Sequence, residues 1–178
     1  MSNEIIQDPL FRQSYRFSRD GDVLRVEIWA EPGGGVLAEH VHPRLEERYE
    51  VLEGEVTFHV DRKPLRPPAG EPVVVPAGVP HRFQNTGNQV AHLLVEAEPA
   101  LALRESIQDG AALARTGKFT TGGKPRSLRA LVEVATLAAR YRETVVLTSP
   151  PPAVQRLLFP LLARFAARKP EHAPVRAR

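Results

Sequence analysis

Three histidines and a carboxylate stand in two short segments of this 178-residue chain, each segment punctuated by glycine or proline. The first reads G-x5-H-x-H-x4-E-x6-G and holds Gly34, His40, His42, Glu47 and Gly54. The second reads G-x5-P-x-G-x2-H-x3-N and holds Gly70, Pro76, Gly78, His81 and Asn85. His40 and His42 are two residues apart, so on a strand they face the same side, the spacing for two imidazoles converging on one ion. His81 comes from a separate strand, after a turn at Pro76-Ala77-Gly78 where glycine supplies a backbone angle that residues with a Cβ avoid. Glu46 or Glu47 supplies the carboxylate; on an extended segment the two point to opposite faces, so only one looks inward. Three imidazoles and one carboxylate suit one divalent first-row transition metal with coordination positions left open. Fe, Mn, Ni, Cu and Zn all fit such ligands, because affinity follows the general order of the series and cellular supply.

The elements that must position these groups are short strands broken by turn residues over residues 10–98. Asp20-Gly21-Asp22 turns the chain between Tyr15–Phe17 and Val23–Trp29, and the second run alternates apolar and polar as a half-buried strand does. Arg48–Glu53 and Glu55–Val60 flank Gly54 as a bent or hairpinned pair. Lys63–Gly70, with three prolines, is neither helix nor central strand. Val73–Val75 reads as a short buried strand, and Asn85-Thr86-Gly87-Asn88 turns into Val90–Glu96. Many short strands with Gly and Pro between them predict a jelly-roll sandwich or barrel. Strand parity places Phe83 on the face of His81, and Tyr49 and Val51 on that of Glu47, as an apolar wall around the ion or as plain core. Trp29 is expected to line the mouth or plug the barrel. His59 and His92 read as surface or satisfied core histidines, with contact to substrate or to the ligands as the alternative.

After Pro99 the pattern becomes helical. Leu103–Thr116 predicts a helix stopped at Gly117 in a left-handed cap. Ser127 caps a second helix running to about Arg142, with Leu128, Leu131, Val132, Ala135 and Ala139 on its apolar face. Pro150–Pro152 predicts a stiff extended connector. A third helix presents Val154, Leu157, Leu158, Leu161, Leu162 and Phe165 on one side and Arg156, Arg164 and Arg168 on the other, with a kink or restart at Pro160.

Both motifs are complete and in order, and on them the chain resembles the cupin superfamily over roughly residues 20–98. The resemblance implies a mainly β fold, a double-stranded β-helix (jelly-roll) barrel, followed here by two to three C-terminal helices. It divides the chain into a barrel with its N-terminal arm at 1–98 and a helical extension with a basic tail at 99–178. The family's register favours Glu47 over Glu46, and its metal ligands map to His40, His42, Glu47 and His81. Asn85, the last motif position, reads as a turn stabiliser. Cupins include dioxygenases, isomerases, decarboxylases and ligand-binding domains, and fold alone does not choose among them. The leading expectation is a metal-dependent, dioxygenase-like enzyme on a small organic substrate, with Glu47 as base and Tyr49 and Phe83 against the substrate. An isomerase or decarboxylase, or a non-enzymatic binding or regulatory protein, is the alternative.

Composition narrows the field further. The chain has no cysteine, which excludes disulfides, thiolate metal sites and cysteine nucleophiles. The polar first residues lack the apolar core of a signal peptide, giving a cytoplasmic expectation. Counted as Lys+Arg minus Asp+Glu, residues 1–98 carry 10 − 16 = −6 and residues 99–178 carry 14 − 5 = +9. The helices are separated by Pro- or Gly-rich links unlike a helix-turn-helix, so no nucleic acid is expected. The last helix is expected to pack its apolar face on the barrel or across a homodimer, in preference to lying on an anionic membrane surface.

Overall fold

The computed structural model describes residues 4–120 and 123–166. Alternation of apolar and polar residues sets the strands: Gln13–Asp20 (β2), Val23–Ala30 (β3), Glu46–Glu53 (β5) and Ala91–Glu98 (β10) each bury every second side chain. With the edge strands Ile6–Asp8 (β1) and Pro72–Val75 (β8) they form a six-stranded antiparallel sheet in the order β1-β2-β3-β10-β5-β8. His40–Val41 (β4), Val56–Val60 (β6), Lys63–Leu65 (β7), His81–Asn85 (β9) and Val146–Leu147 (β11) form a second sheet, ordered β11-β4-β9-β6-β7. The two sheets pack as a jelly roll and are not closed into a continuous barrel. Tyr49 of the first sheet meets Phe58 and Phe83 of the second with ring centroids 5.2 and 5.8 Å apart, within the favourable range for aromatic pairs.

Gly54 shows how one strand pair feeds two sheets. β5 and β6 do not pair with each other as a hairpin; the chain bends between them at Gly54, φ +87°, where a Cβ would lie 2.8 Å from Ala91 Cα. Only glycine takes that angle at that distance without a shift. β8 alternates instead of being wholly buried: Val73 and Val75 face the core while Val74 is exposed, as on any edge strand with one face on water. Trp29 neither lines the mouth nor plugs the interior. It lies on the outer face of the first sheet, stacked on His92 at 4.8 Å and beneath the Arg16 guanidinium. His59 and Trp29 occupy the outward positions of their strands; parity decides this, since Phe58 and Ile28 take the inward ones.

The C-terminal part contains Leu103–Ala114 (α1), Leu128–Arg140 (α2) and Pro152–Ala166 (α3). The Ser127 side chain accepts from Ala130 N at 3.2 Å, capping α2. Gly117 is left-handed at φ +69°. The expected face of α2 holds in part: Ala135 is buried and Val132 and Ala139 are half-buried, but Leu128 and Leu131 are exposed, 72% and 42%, while Val134, Leu137, Ala138 and Tyr141 line the cavity beside the sheets. On α3, Val154, Leu157, Leu158 and Leu161 are exposed in the single chain, and the side turned inward carries Gln155 and Phe159 against α2. Pro152 does not extend a connector; it begins α3, where the missing N–H of proline costs no hydrogen bond. The side chain of Phe165, Arg168, His172 and the tail beyond Lys169 lie outside the described residues. No described helix is long and apolar enough to cross a membrane.

Candidate metal centre

The quartet His40, His42, Glu47 and His81 converges as its spacing requires. All four side chains are buried, and one ligand atom from each falls within 4.8 Å of the others. The register explains it: β4 and β9 pair His40 directly with His81, and β5 crosses opposite with Glu47 inward and Glu46 exposed. Glu47 Oε2 lies 2.9 Å from His81 Nε2 and 3.3 Å from His42 Nε2, and accepts from the Tyr49 hydroxyl at 2.8 Å.

Backbone carbonyls hold the opposite ring nitrogens. His40 Nδ1 donates to Ala38 O at 3.0 Å, His81 Nδ1 to Val79 O at 3.0 Å and His42 Nδ1 to Thr144 O at 2.6 Å. A carbonyl only accepts, so Nδ1 carries the proton in each ring and Nε2 faces the shared centre. This is the outer support that metal-binding imidazoles commonly have. His81 Nε2 is a buried polar atom without a hydrogen-bond partner despite its closeness to Glu47. Such an orphan is costly in an apolar interior, and a cation among the four groups would satisfy it. Two ligand atoms about 2.1 Å from one ion are at most ~4.2 Å apart, so the widest pair needs to close by roughly half an ångström. The donor set therefore fits a divalent transition metal.

Electrostatics favour the same arrangement. Burial lowers the His40 pKa to about 3, helped by the neighbouring His81 and His42, so this ring is neutral with a free lone pair at neutral pH. Burial also works against a charge on His42, but the Glu47 carboxylate outweighs it and raises its pKa. Burial pushes Glu47 upward; the charge and hydrogen bond of His42, with His81 close by, overcome it and hold the carboxyl well below its ordinary value. Burial and the adjacent Glu47 keep the Tyr49 phenol protonated, as a donor.

Beside the quartet lies a cavity of about 250 Å³. Tyr49 and Phe83 line it as strand parity expects, as do Val26, Ile28 and Val95 of the first sheet. Its other wall is the extension: Leu103, Ile107, Leu137, Tyr141, Val145 and Leu147. None of these was singled out from the sequence, although Val134, Leu137, Ala138 and Tyr141 do recur at i, i+3, i+4 and i+7. The extension also reaches the ligands themselves. Thr144 supplies the carbonyl for His42, β11 pairs Leu147 with His40, and Thr148 N donates to Glu39 O at 3.0 Å. The β-branched run Thr144-Val145-Val146-Leu147-Thr148 was the available strand signal. His92 is remote from the quartet, with Nε2 3.2 Å from Glu27 on the outer face. Asn85 is structural: its amide donates to Ala30 O and Gln89 O, both at 2.8 Å, and its oxygen accepts from Gly87 N.

The described residues thus form an antiparallel jelly roll with an inward His/His/Glu/His set that could hold a metal ion. Residues 26–95 match the family model described as Cupin domain, and this chain carries a cupin domain followed by a C-terminal helical extension. It is similar to the polyketide synthase CurC of Streptomyces cyaneus, with 34% identity over 76 residues, 42% of this chain and 47% of that protein. The match thus spans about half the length of that relative. Among solved structures, an RmlC-like cupin from Shewanella frigidimarina is 25% identical, with 55% of this chain and 85% of that one covered at a TM-score of 0.48. The TT1209 protein of Thermus thermophilus is 28% identical, with 49% and 84% covered at 0.46.

Proposed function

We propose that this protein is a metal-dependent enzyme that binds one divalent transition metal through His40, His42, Glu47 and His81 and acts on a small, largely apolar organic molecule in the adjoining cavity. The observation that carries this reading is the set of three Nδ1–H···O=C bonds, which aim three Nε2 atoms and Glu47 at one buried point. A bound metal would polarise a substrate oxygen as a Lewis acid and, if redox-active, support reaction with dioxygen. Glu47, steadied by Tyr49, is the base nearest to a substrate C–H or O–H proton. Tyr49 and Phe83 flank the substrate ring, and the extension's apolar residues exclude water from it. An apolar cavity of ~150 Å³ accommodates benzene, so this one suits a substituted ring or a compact bicycle.

Dioxygenase-like chemistry on an enol or catechol is the first version; metal-assisted isomerisation or decarboxylation is the second. The relative's name places it in polyketide synthesis, and on that likeness we extend the proposal to a phenolic or enolic polyketide-type substrate. The exposed leucines of α3 fit a homodimer interface. The test is metal content after purification without added metal or a metal-binding tag, beside a His40→Ala/His42→Ala control. About one ion per chain, absent from the control, is expected. Iron, manganese, nickel or copper, followed by oxygen uptake with catechols or enols, supports the first version, and zinc alone the second. No metal after reconstitution refutes the enzyme reading.

A further inference from the structure

The same cavity has a second polar end that the metal chemistry leaves unused. Asp8 and Tyr15 both line it, on β1 and β2, and both are buried. In the sheet order β1 is four strands from β5, so roughly 19 Å of backbone, at about 4.8 Å per strand, separates Asp8 from Glu47 along the sheet. Asp8 Oδ1 accepts from Leu10 N at 2.9 Å and Phe11 N at 3.1 Å, which accounts for its role in the turn after β1. Its Oδ2 has no hydrogen-bond partner among the described residues. The nearby Tyr15 hydroxyl receives the Gln13 amide at 2.6 Å, and its own proton has no acceptor among the described residues. Gln13 Oε1 is likewise buried without a partner. Turned over, the Gln13 amide would accept the Tyr15 hydroxyl proton and its nitrogen would then need an acceptor, whereas Asp8 Oδ1 keeps the same two backbone donors either way. This wall of an otherwise apolar cavity thus presents a phenol and a carboxylate oxygen that makes no hydrogen bond among the described residues, with the Arg115 charge nearby, held on Gln7 O.

We infer that Asp8, with Tyr15 beside it, receives a hydrogen-bond donor at the far end of the ligand, so that the substrate is an elongated molecule with a metal-chelating oxygen at one end and a hydroxyl or ammonium at the other. This rests on the metal reading above and adds the class of substrate. A carboxylate only accepts, so it selects for a donor and against a methyl group or a second anion. A cavity that leaves a buried polar group unpaired discriminates strongly against a ligand lacking the complementary group. Ser106 of α1 lines the cavity too, but its hydroxyl already donates to Leu103 O at 2.8 Å.

The test uses the full-length, zinc-loaded protein and catechols carrying at C4 a straight chain of about two to five carbons ended by hydroxyl, ammonium or methyl. Calorimetry gives the affinity of each for the wild type, Asp8→Asn and Tyr15→Phe. Asparagine keeps the oxygen that accepts from Leu10 and Phe11 and replaces the free oxygen with a donor. At one chain length the wild type should prefer the hydroxyl or ammonium tail over methyl by roughly tenfold or more, the effect of one hydrogen bond to a charged group. Asp8→Asn should abolish the preference for the ammonium tail, which cannot accept from the new amide, while keeping zinc content and methyl-tail affinity; a hydroxyl tail can still accept from that amide, and Tyr15→Phe should reduce the ammonium preference. A wild type indifferent to the tail at every length, or an ammonium preference that survives Asp8→Asn, overturns this proposal and leaves metal binding standing. Failure of the wild type to take up zinc overturns the metal reading, and this one with it.

Discussion

Tyr49→Phe isolates one bond at the centre of the site. The phenol donates to Glu47 Oε2 at 2.8 Å, both groups are buried, and the ring is held between Phe58 and Phe83. Removing one oxygen leaves those ring contacts and opens almost no cavity, so the change reads out the hydrogen bond. Hydrogen bonds to charged groups contribute about 1.5–3 kcal/mol. Glu47 keeps its contact with His42, whose pKa it raises, in the metal-free protein, which places the loss of stability near the lower end, about 1.5 kcal/mol. At about 2–4 °C per kcal/mol for a chain of this length, Tm of the chelator-treated protein falls by roughly 3–6 °C. Metal occupancy raises the stakes. With a metal bound, His42 and His81 would ligate it through Nε2, and Tyr49 would remain as the donor that orients the Glu47 carboxylate. Loss of such an outer partner weakens metal affinity by about 10–100-fold. Competition against a chromophoric zinc chelator measures this directly. Unchanged zinc affinity with a lowered Tm would confine Tyr49 to stability, and unchanged values of both would refute the account of the site's electrostatics.

Three further outcomes follow from the geometry. A chain ended after Thr148 keeps Thr144 and β11 and should retain zinc uptake, whereas one ended after Arg140 loses the carbonyl on His42 and should bind roughly tenfold or more weakly; equal affinity in folded forms of both would show the extension to be irrelevant to the ligands. Leu157→Glu/Leu161→Glu should convert a dimer to a monomer in sedimentation velocity with metal content unchanged, and a monomeric wild type would refute the proposed interface. Phe83→Ala removes a fully buried ring that meets both Tyr49 and Phe58, and should cost about 3–5 kcal/mol in denaturant unfolding with or without metal; a loss under ~1 kcal/mol would mean the wall is not packed as described.

The candidate ligands were legible in the sequence because their geometry is local. His40 and His42 stand two residues apart and both are buried, parity lets only one of Glu46 and Glu47 look inward and the family resemblance favours Glu47, and Phe83 follows His81 on β9. Glycine and proline marked the turns, and Ser127 the start of α2, for equally local reasons. Helix faces were less legible. On α2 two apolar stripes compete: Leu128 and Leu131 at the start of one are left in water although its Ala135 is buried, while Val134, Leu137 and Tyr141 of the other close the cavity. Periodicity tells which residues share a face; it does not say which face meets another part of the chain.

What tertiary structure alone decided is everything that joins distant segments at the site. Thr144 touches His42 across 102 positions of sequence, β11 adds itself beside His40, and Asp8 arrives at the far end of the cavity from the first strand. A backbone carbonyl has no side-chain signature, and a two-residue strand has no period. The two motifs in the sequence therefore pointed to the fold class and, through the family resemblance they carry, to the candidate donor set. Packing of the helices against the sheets decided the cavity's walls, the ring orientation of His42 and the second polar end, because those depend on which distant surfaces exclude water together.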